Sequence, residues 1–181
     1  MRKTFLTIFA CFTLCIFLLL SGCGGSDSVK GKWAYIHEPE TVSLQLSSGK
    51  AVLDGTEYKV EEIGGDAIIL SLNGEEHSFR YVLNKDGMLL YKTAVYTREG
   101  QDSSEKLIGR WVNAETKWSF EFTDDGTFRE DDYFPGQYTL NEADGTFKLA
   151  YNDHFEDTVC YYSISGNELT VEYPWQMVRC R

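Results

Sequence analysis

Basic side chains are in short supply in this chain: 17 Lys and Arg stand against 28 Asp and Glu over 181 residues, a formal net charge of −11. That balance excludes a nucleic-acid groove, because phosphates are gripped by a basic stripe. Histidine is rarer still, with 3 residues, and His37 and His77 share no metal-ligand spacing. No G-x-S-x-G, H-E-x-x-H or Walker-type loop occurs, so the nucleophile elbow, zinc helix and phosphate cradle are all missing. Adjacent acids such as Glu61-Glu62 and Glu75-Glu76 do not make a glycosidase pair, since neighbours on a strand point to opposite faces. No metal and no cofactor is implied. Aromatic residues are plentiful at 14 per cent, within an apolar share of 43 per cent. That is enough to fold rather than stay disordered.

One long apolar run exists, Phe5 to Leu20, and it follows Arg2 and Lys3. This is the layout of a secretory signal. The run ends in Leu20-Ser21-Gly22-Cys23, which resembles the lipobox of bacterial lipoproteins. The resemblance implies removal of residues 1–22, acylation of Cys23, and anchorage to the extracytoplasmic face of a cell membrane. The implied partner is the lipid bilayer, and each buried acyl methylene contributes ~0.8 kcal/mol. Residues 23–28 are small and polar, the composition of a flexible tether, and look more like Gram-positive lipoproteins. Without residues 1–22 the chain holds 15 bases against 28 acids, a net charge of −13. An anionic bilayer repels such a body, so the lipid does the anchoring.

Cysteine is also thin once that segment is gone. Of 5 residues, Cys11 and Cys15 leave with it, Cys23 takes the lipid, and Cys160 and Cys180 remain. Both fall on expected strands in a compartment that permits disulfides, so they are expected to pair. Two thiols alone lack the further ligands that zinc requires.

The remaining sequence contains one pattern twice. Val29-Lys30-Gly31-Lys32-Trp33 returns as Leu107-Ile108-Gly109-Arg110-Trp111, and Ser43-Leu44-Gln45-Leu46 returns as Ser119-Phe120-Glu121-Phe122. Glu57-Tyr58-Lys59-Val60 is matched by Gln137-Tyr138-Thr139-Leu140, and the offset stays between 76 and 80 residues. An offset so constant marks an internal repeat. The copies span 29–98 and 106–181, joined by a polar linker at 99–105. Within each copy the apolar period is two, as in Phe147, Leu149 and Tyr151, with Asp-Gly, Ser-Gly and Gly-Asn turns between runs. Such alternation predicts antiparallel strands with one wet face, and no helical period is present beyond the signal. The fold class is all-β. Each copy has about six or seven short strands, enough for a small closed sheet and too few for a spacious ligand cup. The linker favours two bodies over one larger barrel made from both copies.

The openings Gly31-Lys32-Trp33 and Gly109-Arg110-Trp111 resemble the G-x-W signature of lipocalin-like domains. Phe120 to Phe128, with its Asp124-Asp125-Gly126 hairpin, resembles the second strand and turn of the small lipocalin-like modules of bacterial lipoproteins. The resemblance implies two tandem antiparallel β-barrel modules in which each Trp closes a barrel base under a basic residue from a last strand. It assigns Arg98 to Trp33 and Arg179 to Trp111, each guanidinium contributing ~0.5–2 kcal/mol.

Function is expected to be binding rather than catalysis. Acidity concentrates in the second copy, with 14 acids against 7 bases over residues 106–181. Aromatics concentrate there too, and the candidate interaction surface is Tyr133, Phe134, Tyr161 and His154, facing a protein or cell-wall partner. Two alternatives stand beside it. One is a surface-exposed enzyme inhibitor using the Glu130 to Gly136 loop, and the other is a cell-envelope hydrolase.

Overall fold

The computed structural model describes residues 28–100, 106–153 and 155–180. The signal segment, Cys23, linker residues 101–105 and His154 lie outside the described residues. The first copy supplies seven strands: β1 (Gly31–Tyr35), β2 (Leu44–Leu46), β3 (Lys50–Leu53), β4 (Thr56–Gly64), β5 (Ala67–Leu72), β6 (Glu75–Asn84) and β7 (Gly87–Arg98). The second supplies β8 (Gly109–Val112), β9 (Ser119–Phe122), β10 (Thr127–Glu130), β11 (Phe134–Asn141), β12 (Thr146–Tyr151), β13 (Thr158–Ser165) and β14 (Glu168–Arg179). Period-two burial is visible along them: Leu44 and Leu46 are buried around an exposed Gln45, and Phe147 and Leu149 around an exposed Lys148. Tight turns fall where positive φ is available, as at Asp54-Gly55 and Asn73-Gly74.

All pairings are antiparallel, and the fourteen strands close into one hydrogen-bonded ring in which β14 returns to β1. A further pairing crosses the ring. Strands β7 and β14 run side by side from Thr97 opposite Glu168 to Met88 opposite Met177. This crossing divides the ring into two circuits. The first comprises β1 to β6, the first half of β7 and the second half of β14. The second comprises β8 to β13 and the other two half-strands. Each circuit surrounds its own core. Trp33, Leu44, Ile68, Leu70, Met88, Leu90 and Met177 pack in the first lobe. Trp111, Phe120, Phe122, Phe147, Leu149, Leu169 and Val171 pack in the second. Pro174 sits where β14 has left β13 and not yet met β1, the place on a strand where a missing N–H is tolerated.

The linker favours two bodies; the sheet runs continuously through both copies, around two cores. Two expectations need correction because β7 and β14 cross. Arg179 lies over Trp33, and Arg98 over Trp111. The long strands cross, so the last strand of one copy closes the lobe of the other. The expected disulfide is absent and both thiols are free. Cys160 is buried in the second core beside Phe147, while the Cys180 N–H donates to Lys32 O in the first lobe. Tyr161 pairs with Glu172, which places Cys180 some seven residues farther along β14 than the stretch facing Cys160. At ~3.3 Å per residue the gap is about 20 Å, far beyond the reach of a disulfide.

Candidate functional site

The distal end of each lobe is a closed base built on the G-x-W pattern. Trp33 Nε1 donates to Val29 O at 2.7 Å, and Trp111 Nε1 to Leu107 O at 2.7 Å. The Arg179 guanidinium centres 4.3 Å from the Trp33 ring and Arg98 4.0 Å from Trp111. Arg179 Nη1 donates to Lys30 O at 3.0 Å, and Arg98 Nη2 to Lys106 O at 2.6 Å. The glycine of the motif follows from this packing. Gly31 (φ +135°) and Gly109 (φ +124°) occupy backbone conformations that disfavour a side chain. A Cβ there would lie 2.6 Å from Arg179 Nη1 or 2.9 Å from Arg98 Nη1. Gly, Trp and Arg thus form one structural unit, used twice.

The other end of each lobe, near the β7–β14 crossing, is where the copies diverge. Register makes the comparison direct. Trp33 faces Leu44, which faces Leu53, and Trp111 faces Phe120, which faces Glu130. A buried carboxylate therefore stands where the first lobe has a leucine. Likewise Lys92 and Tyr173 each lie six positions before the arginine of their strand, and the crossing pairs them with each other.

In the first mouth the charges are internally matched. Lys92 Nζ lies 2.5 Å from Asp54 Oδ2, and Tyr35 OH donates to the same carboxylate at 2.9 Å. The ammonium also sits 4.7 Å from the Tyr35 ring centre and 5.0 Å from that of Trp175. Burial and the neighbouring Asp54 carboxylate push the Tyr35 hydroxyl pKa upward.

The second mouth is a half-open cavity of about 350 Å³ lined by Trp118, Glu130, Phe134, Tyr151, Phe155, Glu156 and Tyr173. Trp118 Nε1 donates to Glu130 Oε1 at 2.8 Å, and the Tyr151 hydroxyl donates to Glu130 Oε2. Tyr151 and Tyr173 hydroxyls are 3.5 Å apart. Phe155 meets Phe134 edge-on at 5.4 Å and Tyr151 at 5.6 Å. Burial raises the Glu130 pKa above the usual carboxylate range, although both hydrogen bonds oppose it. Among the described residues no Lys or Arg forms an ion pair with Glu130.

Of the surface expected from the sequence, Phe134 lines this cavity and Tyr133 stands beside it, 78 per cent exposed in the β10–β11 turn. Tyr161 is elsewhere: it packs on the outer face against Arg80, at 4.2 Å, and Tyr91. Its neighbour Tyr162 packs on the second core. Glu130, Tyr151, Tyr173 and Trp118 were not singled out together as a site. The signal for Glu130 was present, because it continues the core-facing alternation of Phe128 and breaks its apolar character. Of the acids near it in sequence, Asp132 is held by Arg110 and Asp125 by the Thr123–Thr127 turn.

No protein-family model matches the chain, and no curated protein or solved structure gives a significant match.

Proposed function

We propose that this chain is a membrane-anchored extracytoplasmic lipoprotein, held through acylated Cys23, that works as a binding protein through the mouth of its second lobe. The observation that carries the reading is Glu130: a buried carboxylate, fixed by two donors, facing a half-open aromatic cavity. Burying an acid costs stability, and the first lobe meets the same position with Leu53. A cost incurred in one copy and avoided in the other points to use. The two lobes are read as lipocalin-like barrels. In support, each circuit is an up-and-down meander of eight strand segments, the strand number of that architecture. Their interiors are filled by side chains, so a ligand is held at the rim rather than in a deep cup. Binding is preferred to catalysis because Glu130 is surrounded by tyrosines that keep their protons.

The test is capture on the native cell surface. A photo-crosslinking residue replacing Phe155 in the full lipidated protein is expected to trap a partner that one replacing Val82, on the first lobe, does not. Identical capture from both positions overturns the reading. Anchorage is tested separately: Cys23→Ser is expected to abolish palmitate labelling and release the protein from the membrane. A second reading, inhibition of an enzyme by a protruding turn, is favoured by Tyr133, whose ring projects from the β10–β11 turn.

A further inference from the structure

We infer that the mouth of the second lobe binds a primary ammonium group on a short apolar stem. This rests on the binding reading above and names the ligand class for that site.

The molecule contains its own precedent for the chemistry. At the first mouth an ammonium, Lys92 Nζ, is held by one carboxylate and two aromatic faces, with Asp54 at 2.5 Å and Tyr35 and Trp175 at 4.7 and 5.0 Å. The second mouth offers the same kind of receptor. Glu130 presents a carboxylate, and Trp118, Phe134, Tyr151, Phe155 and Tyr173 provide the aromatic wall. Among the described residues the cation that completes the first mouth has no counterpart in the second, where Tyr173 occupies the place equivalent to Lys92. Glu130 accepts one hydrogen bond on each oxygen. A carboxylate has roughly four acceptor sites, so acceptor capacity remains for an incoming N–H.

Charge and shape choose among ligands. Among the described residues the cavity is lined by Glu130 and Glu156 and by no basic residue, so an anion would meet like charge. A neutral apolar ligand would fill the aromatic wall while leaving the buried carboxylate without a counter-ion, which is costly in a poorly hydrated site. An ammonium satisfies the carboxylate and the ring faces together, and cation–π attraction strengthens with desolvation. A volume of about 350 Å³ admits a short alkyl stem behind the charged head.

The experiment uses the soluble protein beginning at residue 28 and three probes of one length: n-pentylammonium, 1-pentanol and pentanoate. Binding is read by calorimetry and by the Trp118 indole N–H resonance, which reports directly on Glu130. The expected result is saturable binding of pentylammonium, with the alcohol and the carboxylate at least tenfold weaker. Glu130→Gln is expected to weaken the ammonium at least tenfold. Tyr173→Lys, which installs an internal cation as at Lys92, is expected to block it. Amide spectra identify any variant that fails to fold, and Glu130→Gln then decides alone. Pentanol binding as well as pentylammonium, or pentylammonium binding unchanged in Glu130→Gln, overturns the cation and leaves the binding reading standing. No response to any probe also overturns it, while the cell-surface capture decides the binding reading on its own.

Discussion

Glu130 sets the most specific behaviour available from a single residue. Its pKa is raised by burial, so between the unfolded and folded values the native state keeps a proton that the unfolded state has lost. Stability therefore falls as pH rises through that window, and the penalty persists above it. Below the unfolded value both states are protonated and the penalty vanishes. Tyr151, Tyr173, Tyr96 and Cys160 face the carboxyl and are themselves pushed up by burial, and Asp131 adds a like charge. Glu130→Leu, which copies Leu53, is accordingly expected to melt higher than the parent at pH 7.5, with the gap narrowing by pH 4. A gap that widens in acid would contradict the account. The two bases make a second residue-level prediction. Arg179→Met removes a cation–π contact and donors to two carbonyls, so a loss of about 1–3 kcal/mol is expected in urea titration. Native-state alkylation should modify Cys180 readily and Cys160 only on unfolding, since Cys160 is buried and its thiol pKa is pushed well up.

At the scale of elements, the copies preserve register while exchanging volume. Ala51 faces Tyr58 in the first lobe, and Phe128 faces Gly136 in the second. Large and small trade places across one strand pair. A Cβ on Gly136 would lie 2.5 Å from the Phe128 ring and 2.4 Å from Ala150 O, so Gly136→Ala is expected to cost about 1–3 kcal/mol. In a Phe128→Ala background, itself destabilised by about 3–5 kcal/mol, Gly136→Ala should cost less than it does in the parent, a coupling that a double-mutant cycle reads. Strand identity was legible in the sequence because period-two alternation and Asp-Gly or Asn-Gly turns are local signals. The bases were half legible: Gly31, Trp33 and Arg179 could each be named from pattern, but not which arginine meets which tryptophan. That choice depends on β7 and β14 passing each other, a long-range event with no local signature. The expected disulfide failed on the same point, since strand membership says nothing about which lobe a strand has reached. The second mouth was hidden because Glu130, Tyr151 and Tyr173 come from three strands, and Glu130 read as part of an acidic run.

For the whole molecule, the crossing makes the two lobes a single thermodynamic unit. Met177 is fully buried in the first core, and Leu169, eight positions earlier on the same strand, is fully buried in the second. A protease site placed in residues 101–105 is therefore expected to yield a nicked protein whose halves stay together, seen as one species by native mass spectrometry. Two separated fragments would contradict the shared strands. Heating should give one transition with calorimetric and van't Hoff enthalpies in agreement, not two.

The crossing also dictates an order of events during synthesis. The first lobe holds six strands of its own plus half of β7, and the gap between β7 and β1 is filled only by residues beyond Pro174. A chain emerging from its N-terminus must therefore keep the first lobe open, with its Trp33 base uncovered, until β14 has emerged. Nearly the entire chain has to be made before either lobe can finish, and the two lobes then close together when Arg179 reaches Trp33.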